Sequence, residues 1–161
     1  GALALVAQTW RLRLDAFPGG ALGWWDGWRE GSVAPAGAGA IVLPRPPLLS
    51  VSAVRTYDDA DVATVMPAAS YFVDTAAWPG RVVLRTGKTW PSMSLRPAGG
   101  IEIDFSAGFG ADGSAVPWAI RQGLLTHIAW LYQNRGDENQ GAAAVAAEAL
   151  ALYRPYRLPR L

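Results

Sequence analysis

A chain of 161 residues with 51% hydrophobic side chains is long enough to bury one core without disulfides or a structural metal. It has no Cys and a single His, which removes disulfide scaffolds, thiolate zinc sites and Cys nucleophiles and argues against any metal site. Its 14 basic and 13 acidic side chains nearly cancel, so no global field draws it onto nucleic acid or an anionic membrane, and no apolar run reaches the ~18 residues of a membrane span.

In chain order, residues 2–7 read as the tail of a helix. Trp10, Leu12 and Leu14 alternate with Arg11, Arg13 and Asp15 as a strand that Phe17-Pro18-Gly19-Gly20 ends. Residues 23–39 form a Gly-rich loop carrying Trp24, Trp25 and Trp28. A short strand at residues 41–43 meets Pro44-Arg45-Pro46-Pro47, whose rings forbid a ladder and favour an extended elbow. Two hairpins follow: residues 51–57 and 62–66 around Asp58-Asp59-Ala60-Asp61, then residues 71–74 and 81–85 around Trp78-Pro79-Gly80. Ile101, Ile103 and Phe105 alternate with Glu102, Asp104 and Ser106 in a further strand. The economical assembly is one antiparallel sheet of about five or six strands.

Val116-Pro117 then opens a long helix, with Pro at its first position. Its stripe of Ile120, Leu124, Ile128 and Leu131 is expected to pack on the apolar face of Ile101, Ile103 and Phe105, because successive elements usually touch. A second helix spans residues 142–152. Strand signals first and helix signals last define an α+β fold: one domain over residues 1–152 and an extended C-terminal tail over 153–161.

The residues offer no catalytic, cofactor or metal site. Glu102 and Asp104 stand ~7 Å apart on one strand face, a spacing open to a glycosidase pair, yet alternate polar residues on a half-exposed strand give the same pattern. Asp58, Asp59 and Asp61 lack the Gly and distal Glu of a calcium loop and read as a solvated hairpin tip. His127 has no triad partners at usable spacing and reads as a core-edge histidine. What remains are aromatic and basic candidates for partner binding. Trp24, Trp25 and Trp28 form an aromatic cluster suited to a protein partner or, in an alternative reading, to sugars in a carbohydrate-binding or adhesin-like β module. The tail interleaves Tyr153, Tyr156, Leu158 and Leu161 with Arg154, Arg157 and Arg160, the mixture found at interface hot spots.

The string Arg96-Pro97-Ala98-Gly99-Gly100-Ile101, the turn Phe105-Ser106-Ala107-Gly108-Phe109-Gly110, Val116-Pro117 with Ile120-Arg121-Gln122, and His127, Trp130-Leu131-Tyr132 and Asn134-Arg135 together resemble the head-tail connector (head completion adaptor) family of tailed bacteriophages and gene transfer agents. Gln8-Thr9-Trp10, Phe17-Pro18, Leu43-Pro44-Arg45-Pro46-Pro47-Leu48, Tyr71-Phe72-Val73-Asp74 and Trp90-Pro91 fall in the same order. Members usually begin with an additional pair of helices, and this chain starts where the second of them is expected to end. The resemblance implies a structural virion protein, not an enzyme, made in the bacterial cytoplasm and placed in the neck between head and tail. It implies a ring of commonly twelve copies under the portal protein, through which DNA passes without specific binding and on which the next neck protein (stopper or tail terminator) docks. It implies no cofactor and no membrane.

Overall fold

The computed structural model describes residues 3–18, 39–135 and 145–157. Among the described residues seven strands form two antiparallel sheets rather than the single sheet expected from the sequence. The first has the order β1 (Gln8–Leu14), β7 (Ile101–Ala107), β3 (Leu48–Tyr57), β4 (Ala63–Val65). The second sets β6 (Arg81–Leu84) between β2 (Ile41–Val42) and β5 (Tyr71–Asp74). The proline elbow explains the split. Pro44, Pro46 and Pro47 cannot donate to a ladder, so the chain leaves β2 and enters β3 in the other sheet, while the hairpin β5–β6 joins β2.

Both hairpins form where their turn residues place them. The β3–β4 register pairs Arg55 with Val65 and Tyr57 with Ala63, and β5–β6 pairs Tyr71 with Leu84 and Asp74 with Arg81. One core joins the sheets: Leu48, Val54, Ile101, Ile103, Phe105 and Ala107 from the first meet Ile41, Leu43, Tyr71 and Val82 around the second. The two-residue alternation holds, with Trp10, Leu12 and Leu14 packed on this core.

Residues 3–7 are not helical. Ala4 is buried in the sheet core and its N–H donates to the Pro46 carbonyl at 3.1 Å, while the Ala7 N–H donates to the Gly110 carbonyl at 2.7 Å. Burial between the sheets overrides the helical propensity of an Ala- and Leu-rich run. Gly108 lets this segment come close: at φ +143° it lies where any Cβ would run into the Val6 backbone.

The long helix is α1 (Trp118–Gln133), and Pro117 caps it from just outside instead of occupying its first position. Its end is closed by Asn134, whose N–H and side-chain Nδ2 both donate to the Trp130 carbonyl. The second helix, α2 (Ala147–Tyr153), runs into a single 3-10 turn (Arg154–Tyr156). The predicted start of this helix at residue 142 lies outside the described residues. The tail expected to be extended thus begins with the last residue of α2 and a helical turn.

The expected helix-to-strand packing is not what the chain does. α1 packs on α2, and among the described residues no strand packs extensively against either helix. Of the predicted stripe only Ile120 is buried, whereas Leu124, Ile128 and Leu131 are 38, 60 and 45% exposed. The face toward α2 is instead Ile120, Gly123 and the half-buried Thr126, His127 and Trp130.

Candidate interaction surfaces

On the outer face of the first sheet, the two carboxylates of β7 are held by arginines from its neighbours. Arg13 Nε donates to Glu102 Oε1 at 3.0 Å, and Tyr57 Oη donates to Glu102 Oε2 at 3.1 Å. Arg11 grips Asp104 through Nε at 2.6 Å and Nη2 at 3.2 Å, and Arg55 Nη1 binds the same carboxylate. Arg96 approaches Glu102 at 3.7 Å and lies 4.0 Å from the centroid of the Tyr57 ring. The hydrogen bond from Arg11, reinforced by Arg55, holds the Asp104 carboxyl below the usual carboxylate range, and Asp104 in turn raises the Arg11 guanidinium above its ordinary value. A carboxylate clamped in this way has no proton to give, and Glu102 is buried beneath its partners. Through these bonds the pair ties β1, β3 and β7 together.

The aspartates of the β3–β4 turn also serve the fold. Asp58 Oδ1 accepts from the N–H groups of Ala60 at 2.9 Å and Val62 at 2.8 Å, an Asx-type closure. Asp61, at φ +61°, accepts from Arg96 Nη1 at 3.2 Å. The hairpin built this way offers Val62 and Val65, 57 and 59% exposed, to solvent.

At the opposite end of β7, Phe109 stands between the sheets and the helix pair. Its ring centroid lies 6.2 Å from that of Trp78 and 6.2 Å, edge-on, from that of Tyr156. Tyr153 packs against α1 where Gly123 leaves room, and burial pushes its hydroxyl above the usual phenol range. Of the proposed tail anchors, Tyr153 and Tyr156 are therefore engaged within the chain, while Arg154 and Arg157 are exposed. Leu158, Arg160 and Leu161, and the loop residues Trp24, Trp25 and Trp28, lie outside the described residues. The linking role of Phe109 was not read from the sequence; a Gly-Phe-Gly turn marks a bend but not what its aromatic ring touches.

α1 presents Trp118, Leu124, Leu125, Ile128, Leu131 and Tyr132 as exposed apolar side chains, with Arg121 and Arg135 among them and no acidic residue. At about 100° per residue these side chains share one face of the helix. An apolar face of this extent is the mark of a surface made for contact rather than for water.

A two-sheet α+β body with a helix pair and an exposed apolar face on α1 is the class of fold the described residues define. Its relatives are particular. A chain in the virion of a native gene transfer agent particle is 29% identical, with 98% of this chain and 69% of that one aligned and a TM-score of 0.67. A chain in the neck of the native particle, computed with C12 symmetry, is 28% identical over 98% of this chain and 73% of that one, TM-score 0.67. A chain in the neck of the empty particle, computed with C6 symmetry, is 30% identical over 98% and 69%, TM-score 0.68. No protein-family model and no curated protein sequence matches the chain. The chain belongs to the family of neck proteins of gene transfer agent virions, and its place is the virion neck.

Proposed function

We propose that the protein is a head-tail connector adaptor. Copies form a ring, twelve in number, beneath the portal protein, extend the DNA channel and give the next neck protein, a stopper or tail terminator, its platform. The observation that carries this reading is the likeness over nearly the whole chain to a component of a neck with C12 symmetry. The exposed apolar face of α1 supports it, since a surface of that kind calls for a partner. The near balance of 14 basic and 13 acidic side chains suits a channel wall along which DNA must slide, because a strongly basic lining would hold the duplex through counterion release.

In this reading the C-terminal segment docks on the portal through Arg154, Arg157 and Arg160 with the apolar residues between them. Tyr156 packs on Phe109, so the clean cut falls after it. Removal of residues 157–161 is expected to leave the melting temperature nearly unchanged and to abolish attachment to portal-containing heads. Negative-stain images and native mass of the full chain mixed with portal test the ring itself. Heads that recruit the truncated protein normally exclude the tail as the docking element, and a chain that stays monomeric with portal present excludes the adaptor reading.

A further inference from the structure

We propose that residues 4–7 are a strap that sets the position of the helix pair. Seated, it holds the Phe109 loop, and through Phe109 it holds the end of α2. Lifted, it lets the helices move against the sheets while both parts keep their folds. The device belongs to the single chain and stands whether or not copies form a ring.

The strap leads into β1 and on the way touches both the proline elbow and the Phe109 loop. On the elbow side the Ala4 N–H donates to the Pro46 carbonyl at 3.1 Å. On the loop side the Ala7 N–H donates to the Gly110 carbonyl at 2.7 Å, and the Leu5 carbonyl accepts from the Phe109 N–H at 3.2 Å. This reciprocal pair brackets Phe109, which lies past the end of β7, so its backbone is held by the strap and not by a strand ladder. The Gly108 N–H donates to the Pro47 carbonyl at 2.9 Å and ties the loop to the elbow as well. Ala4 is the anchor, buried in the core that the sheets share, whereas Ala7 is exposed and is held through its backbone.

What the strap grips is the passage from sheet to helix. β7 ends at Ala107 and α1 begins at Trp118, and in the loop between them the Phe109 ring meets Trp78 of the β5–β6 turn and Tyr156 of the turn after α2. α1 and α2 are seated on each other, with Tyr153 against Gly123, while among the described residues no strand packs extensively against either. The placement of the helices therefore depends on the loop and its ring. Two bodies, each packed within itself and joined by a short loop, move as a hinge, and a hinge is set by whatever fixes the joining residues. The coupling runs both ways: seating of the strap and any restraint on the helix pair favour each other.

The chain has no Cys, so two engineered thiols carry spin labels without background. Thr64→Cys with Arg121→Cys reports the distance from β4 to α1, and Thr64→Cys with Thr86→Cys reports the distance between the sheets; all three positions are exposed. Two changes lift the strap: Ala4→Glu sets a charge at a buried position, and Ala7→Pro removes the donor to Gly110. Each should at least about double the width of the sheet-to-helix distance distribution and leave the sheet-to-sheet width unchanged. Phe109→Ala should broaden the first distance as much, and adding Ala7→Pro to it should broaden it no further, since both act through one link. Ala7→Pro decides where Ala4→Glu does not fold. A sheet-to-helix width unchanged by Ala7→Pro or by Phe109→Ala, both distances broadening together, or additive broadening in the double variant overturns the strap.

Discussion

The two sheets and the helix pair use similar amounts of apolar sequence to opposite ends. In the sheets Val54, Val82, Ile101, Ile103 and Phe105 are at most 1% exposed, and the outer carboxylates are locked by arginines. In α1, an equally apolar element, Leu125, Ile128 and Tyr132 are each 60% exposed or more, and the helix leans on its neighbour through a glycine. The difference teaches that hydrophobicity read along a chain measures a demand for burial without saying who meets it. The sheets meet theirs internally; α1 leaves part of its demand unmet among the described residues.

That contrast breaks first, if it is wrong, at Phe105. Phe105→Ala should cost about 3–5 kcal/mol of unfolding free energy, read by denaturant titration, because the cavity opens in a closed core; a loss below about 1 kcal/mol would show that the sheets are as loosely packed as the helices. Gly123→Ala comes next. An exposed helical Gly gains up to about 1 kcal/mol on this change, but here the Cβ would lie 2.6 Å from Tyr153 Cε1, so the expected result is a loss of about 1–3 kcal/mol. A gain in melting temperature would mean that α2 is not seated on α1.

Acid sharpens the comparison on the sheet side. Arg11 and Arg55 depress the Asp104 carboxyl in the folded chain, so the unfolded chain binds the proton more readily. The stability this supplies is fully present above the ordinary aspartate value of about 4 and is lost as the pH falls below it. Melting curves from pH 6 to pH 2 should therefore drop more steeply for the parent than for Asp104→Asn, and parallel curves would remove the clamp from the stability of the sheet. The smallest effect is expected at Leu124. Being 38% exposed, Leu124→Ala should change the stability of the isolated chain by less than about 1 kcal/mol; a core-sized loss would restore the packing of α1 on β7 inferred from periodicity.

The hairpins were legible because their turns are local chemistry: Asp58 closes its own loop, and Trp78-Pro79-Gly80 bends the chain wherever it occurs. The strand alternation of β1 and β7 was legible for the same reason. Division into two sheets was not, since a two-residue β2 carries almost no periodic signal and its pairing with β6 spans some forty residues. The partner of α1 was hidden for a different cause. Its stripe points at 3.6-residue spacing whether the cover is β7, α2 or another molecule, and Gly123, which decides for α2, looks from the sequence like a defect in the helix. Glu102 and Asp104 could be read from the sequence only as alternate polar residues of a strand; the arginines that hold them come from positions 11, 13, 55 and 96, a convergence that only folding assembles. Trp24, Trp25 and Trp28, the most conspicuous aromatic cluster in the chain, lie outside the described residues, and their role stands as a proposal.

The Phe109 ring, set between Trp78 and Tyr156, has a mechanical consequence. Among the described residues no strand packs extensively against either helix, so a load passed from α2 to the sheets runs through the Phe109 stack. In the proposed ring such a joint would let the sheets keep their place while the helices follow the small displacements of whatever sits against them, much as a bracket follows a flexing beam without loosening its own seat.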